Sequence, residues 1–201
     1  MTALQASSPA AATQPIVPVK MAHLVYRCAN RQAMVDWYRQ VFQARLVFQD
    51  EVLAFISFDD EHHRLAFFNM PELPAKTDHM VGVHHVAYSY QTIAQVLATY
   101  ERLKGVGILP SWSINHGPTT SLYYRDPEGN DIELQVDNFT DPADAAAVFQ
   151  SEIFRQNPIG VEFDADALVA HWRAGASDAQ LCALGTCATG QSLGPQYRSA
   201  P

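Results

Sequence analysis

Apolar positions along the chain follow one rhythm twice. Lys20 to Arg27 (K-M-A-H-L-V-Y-R) reads as a strand, and Asn30 then offers a cap for a helix running to about Gln43. Met34, Trp37, Tyr38 and Val41 recur on that helix at i, i+3, i+4 and i+7, which places them on one face. Short apolar runs at Arg45–Phe48 and Val52–Phe58 predict two strands; a polar turn, Asp59-Asp60-Glu61-His62, leads to a third at His63–Asn69. After a charged, proline-bearing loop at Met70–His79, the order β-α-β-β-β restarts. Val81–Tyr90 predicts a strand, and Thr92–Lys104 a helix with Ile93, Val96, Leu97, Tyr100 and Leu103 on one stripe. Gly105 and Gly107 end it, and strands follow at Ile108–Ile114, Thr119–Tyr124 and Asp131–Val136.

The two halves superpose at a constant offset of 62 residues through their first strand and helix. His23 falls on His85, Tyr26 on Tyr88, Met34 on Val96, Tyr38 on Tyr100 and Val41 on Leu103, the signature of an internal repeat. The expected class is α+β: two βαβββ modules, 18–70 and 80–137, paired into a curved mixed sheet around a cavity. Before them, residues 1–17 are rich in Ala, Ser, Thr, Pro and Gln and read as a flexible arm without the basic and apolar regions of a leader. After them, residues 138–201 read as a helical extension with a mobile end. Thr140 or Asp141 caps its first helix, with Pro142 in the first turn, and Asn157-Pro158 stops it; Asp164 and Ser177 cap two more. His171 and Trp172 read as surface and packing residues.

At 201 residues and 48% hydrophobic, the chain can bury a sizeable core. A net charge of −8 and a pI near 5.3 exclude nucleic acid and anionic membrane as natural partners. No apolar run reaches the ~20 residues of a spanning helix. Cys28, Cys182 and Cys187 lack metal-site spacing, and an odd number of thiols points to free cysteines in a reducing cytoplasm. Exposed strand edges predict a homo-oligomer.

The chemistry concentrates between Ile114 and Glu133 (I-N-H-G-P-T-T-S-L-Y-Y-R-D-P-E-G-N-D-I-E). Asp126-Pro127-Glu128-Gly129 predicts a tight turn, so Tyr123 and Glu133 come from adjacent strands onto one face. His116 lies on the connection just before. Pairing the two modules would bring the inward positions His23, His85 and Glu133 together. Two imidazoles and a carboxylate on one face form a facial triad, a set suited to non-haem Fe(II). His84, one residue from His85, should face the other side of the sheet.

This stretch resembles the signature of the type I extradiol ring-cleavage dioxygenases, members of the vicinal oxygen chelate superfamily. The likeness rests on Ile114 and His116, then Leu122-Tyr123, Asp126-Pro127, Gly129 and Glu133. It extends to His23 and to His84-His85-Val86-Ala87-Tyr88, and covers residues 18 to 137. It implies that His23, His85 and Glu133 bind Fe(II), or Mn(II) as in some relatives. His63, rather than His62, would be the acid/base residue, and His116 and Tyr123 would contact the substrate, an aromatic diol opened with O2. With no carboxylate ligand on the last strand of the first module (L-A-F-F), it implies one metal per chain, in a one-domain form. Phe55, Phe67 and Trp112 are candidates for the pocket wall or for plain core. Rival readings are an isomerase, epimerase or lyase of the same superfamily and a metal-free binding or resistance protein.

Overall fold

The computed structural model describes residues 15–77 and 81–190. The arm expected over the first residues and the mobile end therefore lie outside the described residues, apart from the stretch beginning at 15. The first module contains β1 (Leu24–Cys28), α1 (Arg31–Phe42), β2 (Arg45–Gln49), β3 (Leu53–Ser57) and β4 (Leu65–Asn69). The second contains β5 (His85–Tyr90), α2 (Ile93–Lys104), β6 (Trp112–Asn115), β7 (Thr119–Arg125) and β8 (Asp131–Asp137). The tail adds α3 (Pro142–Val148), α4 (Glu152–Gln156), β9 (Val161–Glu162), α5 (Ala165–Arg173) and α6 (Asp178–Leu181).

The predicted cap at Asn30 forms, and Thr92 caps the second helix in the same way. The Asn30 side chain accepts from the Ala33 amide and the Thr92 hydroxyl from the Gln95 amide, each satisfying one amide that the helix leaves unpaired. The apolar stripes face inward, and Met34, Tyr38, Val41, Val96, Leu97 and Leu103 are buried. In each module the first strand runs parallel to the last, β1 to β4 and β5 to β8, and the remaining pairs are antiparallel.

The α+β class and the two βαβββ modules are as the sequence predicts. The strands, however, hydrogen-bond as two separate sheets, β1-β4-β3-β2 and β5-β8-β7-β6-β9, with β1 and β5 each at an edge. The modules meet through their helical sides. Tyr26, Tyr38, Phe67, Tyr88, Leu97 and Leu134 belong to one apolar cluster spanning both. The Arg102 guanidinium donates to the carbonyls of Gln40 and Val41 at 2.6 and 2.8 Å, tying α2 to the end of α1. The Asn30 amide donates to Glu128, and the Tyr38 hydroxyl lies 2.8 Å from that of Tyr26 and 3.1 Å from Oδ2 of Asp126. Burial pushes the Asp126 carboxyl up from its ordinary value, against the hydrogen bonds it accepts from Asn130, Glu128 and Tyr38.

Several boundaries differ from expectation. Strands β1, β4 and β5 begin only at Leu24, Leu65 and His85, which leaves His23, His63 and His84 on the connections just before them, and β6 begins at Trp112 rather than Ile108. The first tail helix breaks at Phe149–Ser151, where the Ser151 hydroxyl accepts from the Phe154 amide and starts α4. The tail also supplies a strand: β9 pairs with β6 and extends the second sheet. All three cysteines are free. Among the described residues, no helix is long and apolar enough to cross a membrane.

Candidate active site

The predicted turn forms around Asp126. Its backbone amide bonds the Asn130 carbonyl at 2.9 Å, its carboxylate accepts from the Glu128 and Asn130 amides, and Gly129 takes a φ of 83° that glycine alone adopts cheaply. The hairpin is thereby locked in register, with Tyr123 directly opposite Glu133 and Trp112 opposite Tyr123. Ala87 lies beside Glu133 on the other flank. Strand alternation then puts His85, Glu133, Tyr123, Trp112 and His116 on one face of the second sheet, the face turned away from α2.

On that face, His85 Nε2 lies 3.0 Å from Oε2 of Glu133, and His116 Nε2 lies 3.8 Å from Oε1. Glu133 is buried, whereas His85 keeps about a third of its side chain exposed. Burial works to raise the Glu133 carboxyl, but hydrogen bonds from His85 and Ser121 and the nearby imidazoles outweigh it, and the net shift is downward. The carboxylate is thus kept ionised and aimed at an open imidazole, a pair of hard and borderline donors that fits a divalent cation.

His116 is held from both ends. Its Nδ1 lies 2.5 Å from the Ile159 carbonyl and its Nε2 lies 3.1 Å from the Tyr123 hydroxyl. A carbonyl can only accept, so Nδ1 carries the proton. Burial lowers the His116 pKa and favours the neutral ring, whose Nε2 lone pair then accepts from the Tyr123 hydroxyl. The ring of Trp112 packs against both at 5.7 and 4.9 Å, and its indole N–H donates to the buried Glu162. The turn carrying His116 is braced by Asn115, which accepts from the Gly117 amide and donates to the Cys182 carbonyl. Behind it, α3 and α4 wall a small apolar cavity of about 70 Å³ with Val148, Ile153 and Phe154.

The remaining two predicted residues, His23 and His63, lie on the connections that lead into β1 and β4 of the first module. The His23 ring contacts that of His63 at 4.6 Å, and His63 stacks on Phe55 at 4.6 Å and 17°. Burial, followed by the neighbouring His62 and His23, lowers the His63 pKa. His62 is the more exposed of that pair, and His84 is exposed beside His85. The structure therefore brings together His85, Glu133, His116 and Tyr123, and separately His23 and His63. Among the described residues, no three His, Cys, Asp or Glu side chains are grouped to hold a metal ion. Of the candidate wall residues, Phe55 and Trp112 do flank site residues, while Phe67 belongs to the core beneath α1.

Sequence reasoning missed the tail's part in the site. Ile159 and Gly160 abut His116, and an added Cβ on Gly160 would lie 2.2 Å from the Asn115 carbonyl oxygen. The readable signal was Asn157-Pro158 followed by Gly160 and an apolar alternation, Val161 and Phe163, between two helices.

Residues 20–134 match the family model described as the Glyoxalase/Bleomycin resistance protein/Dioxygenase superfamily. Two curated proteins of Rhodococcus globerulus are similar to the chain. Biphenyl-2,3-diol 1,2-dioxygenase 2 is 45% identical over 72% of this chain and 77% of its own length; biphenyl-2,3-diol 1,2-dioxygenase 3 is 37% identical over 82% and 88%. A solved glyoxylase/bleomycin resistance protein/dioxygenase domain from Frankia sp. EAN1pec shares the fold at a TM-score of 0.51 and 12% identity, covering 60% of this chain and 99% of that one.

Proposed function

The chain belongs to the glyoxalase/bleomycin resistance protein/dioxygenase superfamily and, within it, to the extradiol ring-cleavage dioxygenases; on that footing we propose that it opens a catechol-type ring, of the biphenyl-2,3-diol kind, with O2 at an Fe(II) or Mn(II) centre. The observation that carries this reading is the convergence of His85, Glu133, His116 and Tyr123 on one sheet face within 3.8 Å contacts. We take residues 18–137 as the domain that holds the reaction, working in a reducing cytoplasm in which its free thiols persist.

His85 and Glu133 would hold the ion, with His23 as third ligand. The bound ion would supply Lewis acidity toward the two vicinal oxygens of the diol and a site for O2. The chain's own residues orient and move protons. His116, fixed as the Nδ1–H tautomer by Ile159, presents Nε2 as an acceptor, and Tyr123 presents a hydroxyl beside it. Together they can take the proton of a substrate hydroxyl and hold the resulting oxygen in place. Trp112 gives the ring an aromatic wall. His63, with its pKa lowered, is suited to accept and return a proton near neutral pH. A buried, ionised carboxylate beside two imidazoles is a donor set that a divalent cation can use, which favours a metal-dependent reaction over a metal-free binding protein.

The test is anaerobic purification and metal analysis, followed by 2,3-dihydroxybiphenyl, catechol and 3-methylcatechol in air. The expected result is bound iron or manganese and a growing yellow absorbance that His85→Ala abolishes. Metal-loaded protein that leaves every diol colourless would overturn the ring-opening reaction.

A further inference from the structure

His23 and His85 occupy matching positions of the repeat, but the fold holds them differently. His85 is the first residue of β5 and pairs with Asp131 of β8. Strand β1 begins at Leu24, one residue after His23, which places that histidine outside the strand register. The segment leading into it is gripped instead by one side chain. The Arg64 guanidinium donates from Nη1 to the carbonyls of Met21 and Ala22 at 2.6 and 3.1 Å, and from Nε to Oδ2 of Asp59 at 2.7 Å. On the other side of His23, the Leu24 amide donates to the Arg64 carbonyl at 3.0 Å. His23 therefore lies between two attachments to the same residue.

We propose that Arg64 is the positioning residue of His23: its planar head fixes the two peptides that lead into the histidine and so sets where the imidazole stands. The base from which it acts is itself tied down. The buried Ser57 hydroxyl donates to the Glu61 carbonyl at 2.9 Å, and Arg45 donates to the carbonyls of Asp59 and Glu61 at 3.2 and 2.9 Å. Asp59 also accepts from the Glu61 amide at 3.0 Å. Lys20, bonded to Glu61, adds a further attachment on the same segment. An exposed ion pair by itself contributes little. Arg64, however, keeps only 23% of its side chain exposed and shares one rigid fork between a carboxylate and two carbonyls, a geometry that an ammonium on a flexible stem does not reproduce. His63 directly precedes Arg64, and its ring lies 4.6 Å from that of His23, so the same clamp sets the two imidazoles against each other.

The experiment starts from metal-free protein, so its first readout does not depend on the ion. Arg64→Ala should leave the midpoint of urea unfolding near that of wild type, because the replaced head lies outside the core. It should nevertheless free the segment before β1. The ¹⁵N order parameter of the His23 amide should fall from about 0.85 to below about 0.6, and the cross-peak between the His23 and His63 rings should vanish. Arg64→Lys keeps the charge, loses the fork and should loosen His23 in the same sense; it carries the measurement if the alanine variant fails to fold. A His23 amide as rigid as in wild type, with the ring contact intact, would overturn the proposal. The second readout, titration with Mn(II), rests on the reading of His23 as a metal ligand. Arg64→Ala should weaken the affinity by about 10- to 100-fold, in the direction of His23→Ala. Weakening in His23→Ala with none in Arg64→Ala would overturn the proposal. A loosened His23 with wild-type affinity in both variants would uphold the positioning role and sink His23 as a ligand instead.

Discussion

Gly160 offers the sharpest test of how the tail serves the site. It has a φ of 113°, and a Cβ there would meet the Asn115 carbonyl oxygen at 2.2 Å and the His116 Cα at 2.7 Å. Both obstacles are backbone, so no rotamer can relieve them. To restore ordinary contact at about 3.4 Å, the segment must back away by about 1 Å, which stretches the 2.5 Å contact between His116 Nδ1 and Ile159 to about 3.5 Å. Gly160→Ala therefore adds roughly 1–2 kcal/mol of left-handed backbone strain. It also removes a hydrogen bond worth about 1 kcal/mol. The sum, about 2–3 kcal/mol, is enough to detach β9 or to lower the midpoint of urea unfolding measurably. With its carbonyl partner gone, His116 loses the bias that keeps its proton on Nδ1. A loss of about 1.4 kcal/mol of that bias corresponds to roughly a ten-fold drop in kcat. Turnover of 2,3-dihydroxybiphenyl, urea unfolding and the ¹⁵N shifts of His116 read the three effects. An alanine variant with wild-type turnover, midpoint and Nδ1–H signature would refute the argument.

Three further expectations can be checked directly. Tyr123→Phe should slow ring opening by about 10²-fold while leaving metal content intact; loss of the metal would make the residue's role structural. Tyr38→Phe removes the hydroxyl that faces Asp126 across the modules and should cost about 1–3 kcal/mol in urea unfolding, since a buried carboxylate loses a donor; no change would show that the bond does not help fasten them. Asp166 on α5 is held below the usual carboxylate range by hydrogen bonds from Lys104 and then Tyr100. Its folded pKa is depressed, so its contribution is present above the unfolded value, about 3.9, and fades as pH falls through the lower folded one. The pair is exposed, so Asp166→Asn should cost at most ~1 kcal/mol at pH 7, and the gap from wild type should close in acid and shrink in salt.

How much was legible depended on how local the cause was. Asn30 and Thr92 cap helices through their own side chains, and Asp126-Pro127-Glu128-Gly129 makes its turn within five residues, so both could be read without tertiary knowledge. The facing of Tyr123 and Glu133 followed from alternation once the turn was placed. The bracing of His116 was not legible, because Ile159 lies 43 positions away and acts through a carbonyl that every residue possesses. The relation of His23 to His85 was not legible either. The repeat predicts that they occupy matching positions, but it says nothing about whether the two sheets meet within a chain. That depends on how Tyr38, Arg102 and Asp126 fasten the helical sides.

The short strand β9 has a consequence for solubility. Without it, β6 would end the second sheet with Ile114 and Asn115 offering bare amides and carbonyls beside Trp112, an open template for another chain's strand. The tail folds back and occupies that template itself, then seals it with Phe163 against the core. A chain trimmed after Asp137, however complete its two modules look, should therefore precipitate or form fibrils before it shows any defect in folding of the sheet.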